Sequence, residues 1–139
     1  MKTSIQGVDH IAIATDDLEG SLAFWEGALG IRCEHVEELP ERGIKVAMLP
    51  VGATRIELVA PLHDKSEVSA FLGKRGPGIH HLALKVADVD AGVAELRGQG
   101  VKMAQDPAPG AHGCRVAFVH PKASGGVLLE LSTPPKDRS

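Results

Sequence analysis

Residues 8–14, VDHIAIA, alternate so that Ile11 and Ile13 take one set of positions while Val8, His10, Ala12 and Ala14 take the other. Period two predicts a strand. Asp16 or Asp17 then stands where a helix would be capped, and Leu18, Leu22, Trp25 and Leu29 come after it at helical spacing up to Gly30, a residue suited to a helix C-terminus. Three further strand-like runs come next: IRCEHVEE, GIKVAMLPV and TRIELVA. The same order returns later as a strand over 79–86, a helix from Asp88 to about Gln99, and the runs VKMA, CRVAFV and GVLLEL. Each half therefore reads β-α-β-β-β. EVSAFLGKRGPG between them predicts a short helix and a linker, and TPPKDRS a frayed end.

The two halves match in more than pattern. A shift of 71 residues lays His10 on His81, Gly7 on Gly78, Asp17 on Asp88, Leu22 on Val93 and Gly27 on Gly98. One deletion later, Gly30-Ile31 falls on Gly100-Val101. Any two strand–helix units share an apolar pattern. A histidine, a capping aspartate and a terminal glycine in register point instead to internal duplication. The expected organisation is one domain over 1–139, with module 1 at about 6–62, a linker at 63–77, module 2 at 78–133 and a tail at 134–139.

Strand alternation also sorts the faces. Ile11, Ile13, Leu82, Leu84 and Val86 would pack on the helices. His10, Ala12 and Ala14 would lie on the other face with His81, Ala83 and Lys85, as the floor of a cavity. On the last strand of each half a glutamate interrupts an apolar run: Glu57 in TRIELVA, 47 residues after His10, and Glu130 in GVLLELS, 49 residues after His81. A lone strand histidine is ordinarily a satisfied polar residue, and a lone glutamate often an edge gatekeeper. Two of each in register carry more weight, because buried carboxylates need a partner and a metal serves two at once. Imidazole nitrogen with carboxylate oxygen suits Co, Ni, Zn, Fe or Mn, with two coordination positions left for substrate oxygens. His80 should face away from His81, His35 and His63 sit in polar context, and His112 and His120 lie near strand ends.

Composition narrows the classes. The chain is 43% hydrophobic and 24% charged with a net charge of -3, as in ordinary globular proteins. Scattered basic residues, one Trp and three Phe argue against nucleic-acid binding. No run is long enough to cross a bilayer and the N-terminus lacks a signal-peptide core. Cys33 and Cys114 have no metal-type spacing and form no disulfide framework, so a reducing, cytoplasmic location is expected.

These residues carry a resemblance. The doubled β-α-β-β-β pattern with His…Glu…His…Glu resembles the vicinal oxygen chelate, or glyoxalase-like, superfamily. VDHIAIATDDLEGSLAFW, PERGIKVAMLPVGATRIELVAPL, SEVSAFLGKRGPGIHHLALKV and GAHGCRVAFVHPKASGGVLLELSTP resemble, within it, the methylmalonyl-CoA epimerases. The HPK…GGVLLEL ending differs most from what is usual in glyoxalase I. The resemblance implies an α+β fold of two tandem βαβββ modules forming a curved mixed sheet around a metal site. It implies His10, His81 and Glu130 as ligands, with Glu57 at a fourth position that some members fill with Gln, and Glu130 doubling as the first catalytic base. It implies one divalent metal per chain, cobalt foremost, with Mn, Ni, Zn or Mg as alternatives, and a homodimer acting on methylmalonyl-CoA. Where some members carry a second glutamate base, Val46 stands here. Lys45, Glu57, His112 or a bound water remain as candidates for that role. Lys122, Ser124 and Gly125 in HPKASGG are candidates for the CoA rim, since successive backbone N–H groups in a turn can meet anions. The same stretch also reads as an ordinary hairpin loop. A glyoxalase I-type lactoylglutathione lyase, or a non-catalytic binding protein on the same fold, are the rival functions.

Overall fold

The computed structural model describes residues 3–136. Residues 137–139 of the expected tail lie outside the described residues. In chain order the elements are β1 (Ile5–Ala14), α1 (Leu18–Leu22), β2 (His35–Leu39), β3 (Ile44–Val51), β4 (Thr54–Pro61), α2 (Glu67–Arg75), β5 (Gly78–Val86), α3 (Val89–Gly98), β6 (Met103–Pro109), β7 (Arg115–Val119) and β8 (Leu129–Thr133). The described residues fall into two compact units, one of residues 10–80 and the other of residues 3–9 with 81–136.

In the first unit the strand order is β2-β3-β4-β1, with β1 parallel to β4 and the other pairs antiparallel. In the second it is β5-β8-β7-β6, with β5 parallel to β8 and the rest antiparallel. A first strand paired in parallel with the last of its own module is what β-α-β-β-β order allows, because a parallel neighbour needs a long crossover connection. Strand pairing within each unit is mixed, parallel and antiparallel, as expected.

Each helix starts where the sequence places a cap. The Asp17 carboxylate accepts from the Gly20 N–H, and the Asp88 carboxylate from the Ala91 N–H. The two helical segments end on glycines in the left-handed region, Gly30 (φ 74°) and Gly100 (φ 83°), which only Gly adopts cheaply. The first departs from expectation in its middle. After Leu22 the helix widens into a π-helical stretch, Ala23–Ala28, and the Leu29 N–H reaches back five residues to the Phe24 carbonyl. An added residue per turn rotates the last part of the helix about its axis, so Leu29 leaves the apolar stripe and is exposed.

Of the residues expected to pack on the helices, Ile13, Leu84 and Val86 join the core clusters. In the first unit Ala47, Leu49 and Leu58 are buried, and Ile13, Leu18, Leu22, Trp25 and Ile31 pack on them. In the second, Val86, Val89, Val93, Ala117 and Leu131 are buried, with Leu84, Leu96, Met103 and Leu129 against them. Ala12, Ala14 and Ala83 on the opposite face are fully buried.

Some boundaries move. β2 begins at His35 rather than Ile31, because Ile31 and Cys33 turn into the core and the Cys33 N–H donates to the Glu26 carboxylate. β6 runs on through Pro107 and Pro109 with two register shifts. At the edge of a sheet a proline forfeits no ladder bond, so two prolines fit there that would break a central strand. The short helix expected between the halves is α2, capped by the Ser66 hydroxyl. No helix among the described residues is long and apolar enough to cross a membrane, and no disulfide joins Cys33 and Cys114.

Candidate metal-binding residues

Parallel pairing explains how a histidine meets a glutamate 47 residues on. In the first unit Ala12 of β1 stands beside Glu57 of β4. His10 is two residues before Ala12, so it shares its face and lies diagonally across from Glu57. Alanine at the intervening position leaves room for the two long side chains to approach. His10 Nε2 lies 3.6 Å from Glu57 Oε2.

The second unit repeats this register. Ala83 of β5 stands beside Glu130 of β8, His81 is two residues before Ala83, and His81 Nε2 lies 3.2 Å from Glu130 Oε1. All four side chains are buried: His10 and Glu57 are 5% exposed, His81 6% and Glu130 4%. Burying an ionised carboxylate costs several kcal/mol unless charge or donors compensate it. Each pair offers one imidazole nitrogen and one carboxylate oxygen, donor types that suit a borderline divalent cation.

The neighbours across the antiparallel ladders complete each pair. Met48 of β3 stands opposite Glu57, and Phe118 of β7 opposite Glu130; both are buried. The Phe118 ring lies edge to face with the His81 imidazole, centroids 5.2 Å apart and planes at 88°. Sequence reasoning passed over both residues. Hairpin register would have found them, but it depends on turn lengths that the apolar pattern leaves open.

Face assignment also removes a candidate. Lys45 alternates with Val46, and it shares parity with Ala47 and Leu49, which pack in the cluster beneath α1. Met48 is the residue facing Glu57. Lys45 therefore points to the helix side, away from the carboxylate, whereas Val46 shares the face of Met48 and is fully buried.

His80 packs edge to face on Phe71 of α2, 5.0 Å between centroids, on the side away from His81. His63 Nδ1 accepts from the Lys65 N–H, and His35 is exposed, 3.6 Å from Glu37. His112 sits in the short turn before β7 with φ 59°. In the loop before β8, the N–H of Lys122 donates to His120 Nδ1, and those of Ala123, Ser124 and Gly126 donate to carbonyls of the same turn. The Ser124 hydroxyl bonds to the Pro121 and Val127 carbonyls. Four backbone donors are thus spent inside the loop, and the Lys122 ammonium is exposed.

Comparison with known proteins places these observations in context. Residues 9–118 match the profile of the Glyoxalase/Bleomycin resistance protein/Dioxygenase superfamily. The chain is 39% identical to mitochondrial methylmalonyl-CoA epimerase of Mus musculus over 126 residues, 89% of this chain and 71% of that one. Its fold is similar to the crystal structure of methylmalonyl-CoA epimerase from Mycobacterium tuberculosis, with a TM-score of 0.92 and 39% identity over 99% of this chain and 94% of that one. It is also similar to a methylmalonyl-CoA epimerase solved with methylmalonyl-CoA and NH4+, with a TM-score of 0.91 and 38% identity over 96% and 97% of the two chains.

Proposed function

The chain belongs to the Glyoxalase/Bleomycin resistance protein/Dioxygenase superfamily, and from that premise we propose that it is a metal-dependent methylmalonyl-CoA epimerase. The observation that carries the proposal is the buried His–Glu pair made twice, at the same strand register, in a chain similar over nearly its whole length to such epimerases.

In this reading His10, Glu57, His81 and Glu130 would hold one divalent cation, cobalt by family likeness, in each chain of a homodimer. The bound cation supplies positive charge where negative charge develops on the substrate oxygens as the C2 proton leaves. Glu130 has two oxygens for two tasks. One oxygen would serve as ligand, and the other would take the C2 proton from one face of the carbon. Inversion then requires a proton delivered to the other face. Lys45 is turned to the helix side, so that donor is drawn from Glu57, His112 or a water. Ala12 and Ala83 leave room beside the ligands, and the buried setting excludes the water that would screen the charges.

The substrate tail separates this function from that of a lactoylglutathione lyase, which would use the same ligands. Lys122 offers a CoA phosphate a positive charge at the rim, alongside Ser124 and Gly125. Purified protein reloaded with Co2+ should interconvert (2R)- and (2S)-methylmalonyl-CoA and leave the methylglyoxal–glutathione adduct unconverted. Brisk turnover of the adduct with none of methylmalonyl-CoA would overturn the assignment in favour of the lyase. Binding without turnover of either would favour a non-catalytic protein.

A further inference from the structure

The two His–Glu pairs share a register but not their surroundings. Across the ladder from Glu57 stands Met48, an unbranched side chain with three rotatable bonds. Across from Glu130 stands Phe118, a flat ring that is 3% exposed and meets the imidazole of His81 edge to face at 88°. We propose that Phe118 is a positioning residue that fixes the plane of the His81 imidazole.

The physical case rests on shape. An imidazole on a strand has two torsions, and the second is broad and poorly determined by the backbone. A perpendicular ring packed beside it removes that freedom, since aromatic pairs favour the T-shaped arrangement seen here. With its plane held, Nε2 of His81 points in one direction, 3.2 Å from Glu130 Oε1. A ligand already ordered before a cation arrives loses less freedom on binding it, so the ring contributes to affinity without touching the cation. Neighbouring groups that orient a metal-ligating histidine commonly change affinity by an order of magnitude or more.

The inference rests on the proposed metal site for its effect on affinity, but the ordering of His81 can be measured without metal. Phe118→Met transplants into the second half what the first half already carries, Phe118→Tyr keeps the ring, and Met48→Leu is the control in the other half. Calorimetric titration with Co2+ should give a Kd raised roughly tenfold by Phe118→Met, with Phe118→Tyr and Met48→Leu close to the parent protein. In metal-free protein, the His81 ring signals in 1H–13C spectra should be narrow for the parent and for Phe118→Tyr, and shifted and broadened for Phe118→Met. If Phe118→Met fails to fold, Phe118→Leu takes its place with the same readouts. The proposal is overturned if Phe118→Met leaves both Kd and the His81 signals unchanged, or if Met48→Leu raises Kd as much. Absence of Co2+ binding by the parent protein would sink the metal site, and the His81 spectra would then decide the role of Phe118 alone.

Discussion

Glu57 and Glu130 occupy matched positions, yet their chemistry need not be equal. Both are buried carboxylates beside a histidine. Replacing His10, His81 or Glu130 by alanine removes a donor that no neighbour in the strand can supply. Each variant should lose most of its bound metal, read by elemental analysis after dialysis, and nearly all epimerase activity. Glu57→Gln should be milder, keeping metal and a measurable rate, since an amide oxygen still coordinates. A Glu130→Ala protein that is metal-free and fully active would contradict the assignment of Glu130. The pairing of histidine with glutamate was legible in the residues because strand alternation puts both on one face. Which oxygen faces which nitrogen was not, because it depends on the parallel register and on alanine at positions 12 and 83.

The elements were legible where local chemistry speaks plainly. Asp17, Asp88, Gly30 and Gly100 mark helix ends by hydrogen bonds and by a left-handed φ that few other residues tolerate. The π-helical stretch at Ala23–Ala28 and the proline-bearing β6 were not, because they reflect packing and edge position rather than propensity. One element carries a pH signature of its own. Asp90 in the first turn of α3 is held below the usual carboxylate range, first by its hydrogen bonds from Arg115 on β7 and then by the guanidinium charge. A carboxyl whose pKa is depressed by folding stabilises the fold above its unfolded value, here 3.8, and that contribution fades as pH falls through the folded value. The pair is exposed, so salt should screen it. Thermal unfolding at low salt should show Asp90→Asn less stable than the parent at neutral pH. The gap should close in acid. A gap that widens below pH 3.8 would contradict this role.

At the scale of the whole molecule, each unit carries a like His–Glu pair, and in the proposed reading the loops distinguish between substrates. HPKASGG reads both as a turn able to meet anions and as an ordinary hairpin loop, and four of its N–H groups bond within the turn. Which donors bond internally depends on the closed geometry of the turn, which the sequence leaves open. Lys122→Glu should accordingly raise KM for methylmalonyl-CoA more than it lowers kcat, since a rim charge far from the reacting carbon acts on ground and transition states alike. A kcat that collapses at unchanged KM would place Lys122 in the chemistry instead. The central claim is that the chain inverts C2 by removing and returning a proton. It is tested most directly in deuterated buffer, by tracking inversion and deuterium incorporation at C2 together by mass spectrometry and chiral analysis. The account predicts that the C2 hydrogen exchanges at a rate equal to or faster than inversion, and that both are lost in Glu130→Ala. Inverted product that retains its original hydrogen throughout would contradict it.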